Sequence, residues 1–141
     1  MHITPPDACV RDTGSARGRG VFTTRAHGAG EVVETAVAFV FSLRSAHLPD
    51  LLRKCIFSWE VLAEQPGTRA LALGFGSLYN HANPANMRYE ADAEHELLRF
   101  IAVRDIAADE ELTINYNAVG GAAEWADDNW FASHSIERLP G

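Results

Sequence analysis

The sequence predicts a mainly β domain made of several small sheets with very little helix. Short stretches that are rich in Val, Phe and Thr, or that alternate polar and apolar residues, recur along the chain. Such stretches are typical of strands. Residues that favour turns are spread evenly between them, and the polar clusters fall in the predicted loops.

The length and composition predict one globular domain over residues 1–141. The chain has 141 residues, of which 47% are hydrophobic and 22% are charged. Its formal net charge of −7 gives no general attraction to nucleic acid or to anionic membranes, so we expect neither as a partner. A basic or neutral macromolecule, or a small molecule, remains a natural partner.

The cysteines and the first residues of the chain indicate the cellular compartment in which the protein is expected. Cys9 and Cys55 cannot form a zinc cluster and give no disulfide framework, although a single bridge between them stays open. The sequence contains no apolar run of membrane-spanning length, and residues 1–6 do not resemble a signal peptide. We therefore expect a cytoplasmic protein.

The first half of the chain predicts strands separated by turns. Residues 20–25 predict a short strand, and the glycines of residues 27–30 suit a tight turn after it. Residues 31–42 predict one or two further strands. Residues 49–54 predict a helical turn, and residues 55–59 are predicted to be extended again.

The second half continues the β pattern. Residues 69–73 alternate as a strand does. Residues 86–90 and 96–103 predict a hairpin across the acidic turn 91–94, and residues 111–116 predict a last strand.

A Gly-x-Gly turn, Gly18-Arg19-Gly20, stands at the head of the first predicted strand. Glycines there let a ligand approach the backbone closely, and the alternative is a purely structural turn. No helix is predicted after it and no Gly-Lys-Ser/Thr is present, so it is not a dinucleotide or phosphate loop.

A polar run follows the apolar stretch that ends near Gly76, and Asn80, His81, Pro84 and Asn86 crowd together in it. The run predicts either a loop that binds a polar ligand or a tightly bonded structural turn. His81 has no second His or carboxylate at ligand spacing, so we predict no metal site.

Two further segments lie nearer the end of the chain. Residues 106–117 contain Tyr116 and could simply form a solvated acidic turn and an amphipathic strand. The polar tail carries Trp125, Trp130 and Phe131. Aromatic side chains favour burial, so they either dock on the domain or form the wall of a ligand site.

Taken in order, these segments resemble one family, the SET-domain protein lysine methyltransferases, over about residues 17–117. Gly-Arg-Gly-Val-Phe at residues 18–22 resembles the opening Gly-x-Gly motif of the family, and residues 30–34 resemble the strand that follows it. Asn80-His81 with Asn86 resembles the Asn-His-Ser…Pro-Asn motif.

The last motif of the family, Gly-Glu-Glu-Leu-Thr…Asp-Tyr, is similar to Asp-Glu-Glu-Leu-Thr-Ile-Asn-Tyr at residues 109–116. The chain departs from the family at Ala82, which replaces Ser, at Pro84, which comes one place early, and at Asp109 and Asn115, which replace Gly and Asp. The flanking zinc-binding cysteine clusters are absent, as in small stand-alone bacterial and viral members. The resemblance then leaves closure of the site to residues 118–141.

The resemblance implies a fold of small curved sheets with a pseudoknot, in which the Asn-His segment threads a loop formed by the last motif. It also implies transfer of a methyl group from S-adenosyl-L-methionine, which becomes S-adenosyl-L-homocysteine, to a lysine amine of a protein, without a metal. The cofactor would be bound by Gly18, Arg19, Gly20, Asn80, His81, Tyr116 and Trp130. The catalytic residues would be Tyr116 and Tyr89, and the substrate channel would be lined by Tyr89, Ile114 and Phe131.

The chemistry gives Tyr116 a clear task. Lysine has a reference pKa of about 10.4 and is protonated at neutral pH, so it cannot attack a sulfonium. A dry channel beside a cationic cofactor would lower that pKa, and a rigid Tyr hydroxyl could orient the neutral amine. Tyr89 could instead be an exposed aromatic at the hairpin edge, and Trp130 and Phe131 could simply dock on the core. The aliphatic Ile114 leaves the number of transferred methyl groups open.

Several partners and two other functions stay open at this stage. A histone-like or ribosomal protein would suit an acidic enzyme, and a homodimer could complete the substrate groove, by analogy with small family members. A non-catalytic SET-fold binding module and a methyltransferase for small amines are the alternatives. Acidic side chains that could steer a basic substrate, or simply be solvated, are Glu90, Asp92, Glu94, Glu96, Asp109, Glu110 and Glu111.

Overall fold

The computed structural model describes residues 2–42, 49–53 and 55–126. In chain order, its elements are β1 (Ala8–Asp12), β2 (Arg19–Thr23), β3 (Val32–Ser42), α1 (Asp50–Arg53), β4 (Phe57–Ser58), α2 (Trp59–Ala63), β5 (Thr68–Ala72), β6 (Asn80–His81), β7 (Met87–Asp92), β8 (Leu97–Ala102) and β9 (Glu111–Ile114), followed by a 3-10 turn at Val119–Gly121.

The strands form two small sheets, which confirms the predicted mainly β fold. One sheet has the order β1-β2-β9-β6 and the other has the order β4-β5-β3-β8-β7. The long strand β3 pairs with β8 through its first half, Val32–Val37, and with β5 through its second half, Ala38–Ser42. Because the two partners lie along different halves of β3, the second sheet is staggered and not flat.

The core lies between these sheets. Its largest fully buried side chains include Trp59, Tyr79, Phe100 and Met87. The rings of Tyr79 and Phe100 pack with their centroids 4.9 Å apart. Gly76 lies so close to Phe100 that a Cβ on it would come within 3.1 Å of that ring. The segment that leads into the Asn-His motif is therefore held tightly against the core.

Most of the predicted elements are confirmed, and β1, α2 and the two-residue strand β6 were missed. The hairpin β7–β8 and the helical turn α1 form where the sequence predicts them. The stretch that was predicted to be extended contains β4 at Phe57–Ser58. Helix α2 begins at its last residue, Trp59, which is completely buried and whose indole donates a 3.0 Å hydrogen bond to Gln65. Strand β1 was missed because its side chains are mostly exposed and show no apolar alternation.

Neither cysteine forms a disulfide. Cys9 is exposed on β1, and Cys55 is half-buried just before β4. No helix in the described ranges is long and apolar enough to cross a membrane.

Strands β6 and β9 pair in parallel, and this pairing interlocks two segments that are distant in sequence. Asn80 lies opposite Thr113, and His81 lies opposite Ile114. The amide of Ala82 extends the pairing with a 3.1 Å hydrogen bond to the carbonyl of Ile114. This arrangement agrees with the pseudoknot implied by the family resemblance.

Asn86 is buried, and three of its groups join the loop after β6 to β9. Its Oδ1 accepts a 2.9 Å hydrogen bond from the amide of Thr113, and its Nδ2 donates a 2.7 Å hydrogen bond to the carbonyl of Glu111. Its own amide donates to the Thr113 hydroxyl at 3.1 Å, and its carbonyl accepts from the amide of Val103. The side chain therefore satisfies buried backbone groups on a neighbouring strand.

We predict that Asn86→Ala lowers the free energy of unfolding by about 2 to 4 kcal/mol, because it leaves a buried N–H and a buried carbonyl without partners. Asn83→Ala is the matched control, since Asn83 makes its two side-chain hydrogen bonds at an exposed position. Its cost should stay below about 1 kcal/mol. Urea unfolding of the three proteins measures both values, and equal losses would contradict a special role for Asn86.

Candidate active site

Tyr116 lies just after β9, and hydrogen bonds hold both its backbone amide and its side-chain hydroxyl. The backbone amide donates a 3.0 Å hydrogen bond to Nδ1 of His81, and the hydroxyl donates a hydrogen bond to the carbonyl of Tyr79. The His81 and Tyr116 rings lie with their centroids 5.4 Å apart. The parallel pairing of β6 with β9 produces these contacts, because it sets Tyr79 and His81 beside the end of β9.

Tyr79 is itself held by Glu34, a buried acid that sequence analysis did not single out. The Tyr79 hydroxyl donates a 2.7 Å hydrogen bond to Oε1 of Glu34, and the amide of Phe75 donates a 3.0 Å hydrogen bond to Oε2. Burial raises the pKa of Glu34 above its ordinary value. Gly74 passes so close that a Cβ on it would collide with this carboxyl group. The carbonyl that receives the Tyr116 hydroxyl therefore belongs to an anchored residue.

Tyr89 is the second tyrosine of the site, and the structure brings it close to Tyr116. It lies on β7 with its ring centroid 5.9 Å from that of Phe100. Gly121, in the 3-10 turn, lies so close that a Cβ on it would collide with the Tyr89 carbonyl. Burial raises the pKa of Tyr89 and of Tyr116 to about 12 in each case. Both phenols therefore stay neutral over the ordinary pH range.

A cavity of about 90 Å³ lies on the core side of these two tyrosines. The described side chains on its walls are uncharged, and most of them are apolar or aromatic. Its lining residues are Cys55, Ile56, Phe57, Ala72, Gly76, Ser77, Tyr79, Tyr89, Leu98, Phe100, Ile114 and Tyr116. Ile114 therefore lines the same cavity as Tyr89 and Tyr116.

A second cavity of about 260 Å³ lies beside helix α2 and the 3-10 turn. It shares Ile56, Phe57, Tyr89 and Tyr116 with the smaller cavity. The two cavities therefore meet at the tyrosines. The residues that line only the larger cavity are Ser58, Val61, Leu62, Arg69, Asn117, Ala118 and Gly120.

Asn80 connects the Gly-x-Gly segment to β9. Its Nδ2 donates hydrogen bonds to the carbonyl of Arg19 at 2.9 Å and to Oε2 of Glu111 at 2.7 Å. Gly20 is required at this contact, because a Cβ on it would collide with the Glu111 carboxylate. Arg17 closes the cluster with a 2.9 Å hydrogen bond to the carbonyl of His81 and a 3.6 Å ion pair with Glu111.

The groups in this cluster fit the amino-acid portion of S-adenosylmethionine. Oδ1 of Asn80 accepts no hydrogen bond from the described residues, so this oxygen and the nearby Glu111 carboxylate can receive an ammonium group. The guanidinium of Arg19 is exposed and has no ion pair within the described ranges, so it can receive a carboxylate. Gly18, at φ 74°, has open space around the position of a Cβ, which leaves its backbone accessible.

The structure therefore gathers the predicted site residues into two neighbouring groups. Gly18, Arg19, Gly20, Asn80 and His81 surround the β2-β9-β6 edge. Tyr89, Ile114 and Tyr116 line the smaller cavity. Trp130 and Phe131 lie outside the described residues, so their predicted roles stay predictions.

The first part of the predicted closing tail packs onto the site, whereas Trp125 remains partly exposed. The amide of Ala85 donates a 2.9 Å hydrogen bond to the carbonyl of Ala123, and Asn83 bonds the backbone of Trp125.

Sequence analysis gave no site role to four side chains near the site, which are Arg17, Glu34, Arg69 and, in its role beside Asn80, Glu111. A signal was available only for Glu34, because it is a Glu inside an apolar strand.

Comparison with known proteins agrees with this arrangement. The SET domain model matches residues 18–117. A Schizosaccharomyces pombe histone-lysine N-methyltransferase specific for lysine 37 of histone H3 is 29% identical over 122 residues, which cover 84% of this chain and 76% of that protein.

Solved structures share the fold. A candidate histone methyltransferase of Plasmodium falciparum aligns with a TM-score of 0.62 at 20% identity, covering 79% of this chain and 94% of that one. A Chaetomium thermophilum polycomb repressive complex 2 structure bound to S-adenosylmethionine aligns with a TM-score of 0.64 at 22% identity, covering 82% of this chain and 16% of that one. The chain thus spans about one sixth of that polycomb chain.

The chain belongs to the SET-domain family, since the family model covers most of it. Within that family it is a protein-lysine methyltransferase.

Proposed function

We propose that this chain transfers a methyl group from S-adenosyl-L-methionine to the side-chain amine of a lysine in a basic protein, in the cytoplasm. The observation that carries the proposal is the partly buried phenol of Tyr116, fixed at the point where two cavities meet. A relative that is named for a histone lysine supports a substrate of this class. Histone-like and ribosomal proteins are the basic substrates that we expect.

Residues around the Gly-x-Gly turn would hold the cofactor, which supplies an electrophilic methyl group on a sulfonium. Gly18, Arg19 and Gly20 would offer backbone groups and the Arg19 charge. Asn80 would accept a hydrogen bond from the ammonium group through Oδ1, the atom that the described residues leave open. His81 and Tyr116 would complete this side of the site, together with Trp130 as a prediction from the family resemblance alone.

The walls of the smaller cavity favour a neutral amine. They carry no charged side chain among the described residues, so a lysine that enters loses solvation without gaining a carboxylate partner. Desolvation of this kind lowers the pKa of a lysine, and a cationic neighbour lowers it further. The cavity therefore supplies the nucleophile in its reactive form, and the proton leaves through water.

The hydrogen bond from Tyr116 to Tyr79 gives the phenol oxygen a defined role. Because its own hydrogen is donated to the Tyr79 carbonyl, the oxygen has only acceptor lone pairs to present to the substrate. It can receive an N–H of the neutral amine and so direct the nitrogen lone pair toward the methyl group. Tyr89, which lines the same cavity, would restrict the same amine. Such positioning can lower a barrier by several kcal/mol.

We predict that Asn80→Ala weakens S-adenosylmethionine binding by about tenfold or more, because it removes the amide oxygen and frees the Glu111 carboxylate to move. Asn83→Ala is the matched control on the same loop and should bind normally. Calorimetric titration of the folded proteins measures both affinities. Absence of saturable binding by the unsubstituted protein at millimolar cofactor would contradict the proposed cofactor.

We predict that Tyr116→Phe lowers kcat for methyl transfer by about 10² to 10³-fold, the usual effect of removing one preorganised polar contact at a reacting centre. Since the phenyl ring still fills the site, cofactor affinity should change much less than kcat. Single-turnover transfer to a lysine peptide, with calorimetry alongside, separates the two effects. Equal transfer by both proteins would rule out this role, and partner binding without transfer by either protein would favour the non-catalytic module.

We predict that the transfer rate rises with pH between about pH 7 and about pH 10, following loss of the lysine proton. The tyrosines cause no decline in this interval, because the pKa of each is raised to about 12. Initial rates at saturating cofactor and at peptide concentrations well below KM report the free lysine and provide the test, and circular dichroism verifies folding. A decline above about pH 8 in a folded protein would mean that a protonated protein group takes part in the reaction.

A further inference from the structure

Arg69 is the only charged side chain among the described residues that line the two cavities. It lies on β5, it is exposed, and it forms part of the wall of the larger cavity. Within the described ranges no carboxylate pairs with its guanidinium. A cation therefore stands in the cavity that opens from the tyrosines toward solvent.

This isolation is unusual in a chain with nineteen acidic and twelve basic residues. Of the other described arginines, Arg11 lies over the Phe22 ring and Arg19 belongs to the Gly-x-Gly turn. The remaining described arginines all form ion pairs with carboxylates, and they are Arg17, Arg25, Arg53, Arg88, Arg99 and Arg104. An arginine without an acid, on a cavity wall, is thus available to an acid from another molecule.

The rest of the larger cavity is chiefly apolar. Phe57, Val61 and Leu62 line it, and Val61 is 51% exposed although it is a large aliphatic side chain. An apolar surface of this kind beside a single cation fits a peptide that carries an apolar residue and an acidic residue close together. A lysine or arginine at the position that faces Arg69 would be repelled.

Resting on the proposed function, we propose that the larger cavity selects a lysine that has an acidic residue a few positions away in the same extended segment. The acidic side chain pairs with Arg69, an apolar neighbour packs on Phe57, Val61 and Leu62, and the target lysine passes between Tyr89 and Tyr116 into the smaller cavity. A protein that is basic overall can carry such a segment, so local sequence and not total charge decides which lysine is methylated.

The test is a peptide series, each member carrying one lysine and a single glutamate placed from two positions before it to three positions after it. Matched peptides carry glutamine or arginine in place of the glutamate, so that each still has one lysine. We expect one placement at which glutamate raises kcat/KM about fivefold over glutamine and more over arginine, with the preference falling as salt is raised.

Variants of Arg69 assign the preference to this side chain. Arg69→Lys should keep it, Arg69→Gln should abolish it, and Arg69→Glu should reverse it in favour of the arginine peptide. Arg88→Gln is the control, because Arg88 is exposed on β7 and already pairs with Glu90. S-adenosylmethionine affinity, measured for each variant, shows that the fold and the cofactor site are retained.

The outcomes separate this inference from the proposed function. Methylation of the peptides with no glutamate preference, or with a preference that survives Arg69→Gln, would overturn the inference and leave the methyltransferase activity in place. Faster methylation of every peptide by Arg69→Gln would also overturn it, because Arg69 would then repel the substrate without selecting an acidic residue. Failure to methylate any lysine peptide or protein would overturn both.

Discussion

The parallel pairing of β6 with β9 is the constraint on which the site depends. Two residue pairs bring Asn80 and His81 beside the last strand, and this fixes Tyr79 and Tyr116 close enough for the hydroxyl–carbonyl hydrogen bond. A parallel pair of this length is weak by itself. It is held by the bonds that Asn86 makes to β9, so the geometry of the tyrosines is decided by a buried amide that touches neither of them.

The site combines rigid polar groups with uncharged walls. Glu34 anchors the Tyr79 side chain, Tyr79 receives the Tyr116 hydroxyl through its carbonyl, and Phe100 packs against both Tyr79 and Tyr89. The side chains of Glu34, Tyr79 and Tyr116 are therefore held by the protein before a substrate arrives. Such preorganisation suits a reaction in which a neutral amine must be oriented, because little has to rearrange at the moment of transfer.

Local charge differs from the total charge in a way that matters for recognition. The chain is acidic overall, yet two described arginines have no carboxylate or aromatic partner. Arg19 lies in the Gly-x-Gly segment that bonds Asn80, and Arg69 lines the larger cavity. Acidic side chains such as Asp92 and Glu110 are paired with arginines instead of facing the cavities. Net charge thus predicts long-range attraction, whereas contact specificity follows from the few unpaired groups on the walls.

The sequence by itself determined the β-rich fold, the hairpin β7–β8 and the motif residues Asn80, His81 and Tyr116, because periodicity and short motifs are local properties. It could not show helix α2, which begins where the predicted extended stretch ends, at the buried Trp59. Nor could it show that Glu34 anchors Tyr79 or that Arg69 lines the larger cavity. Those roles depend on contacts between residues far apart along the chain, and only the tertiary structure decides which of them meet.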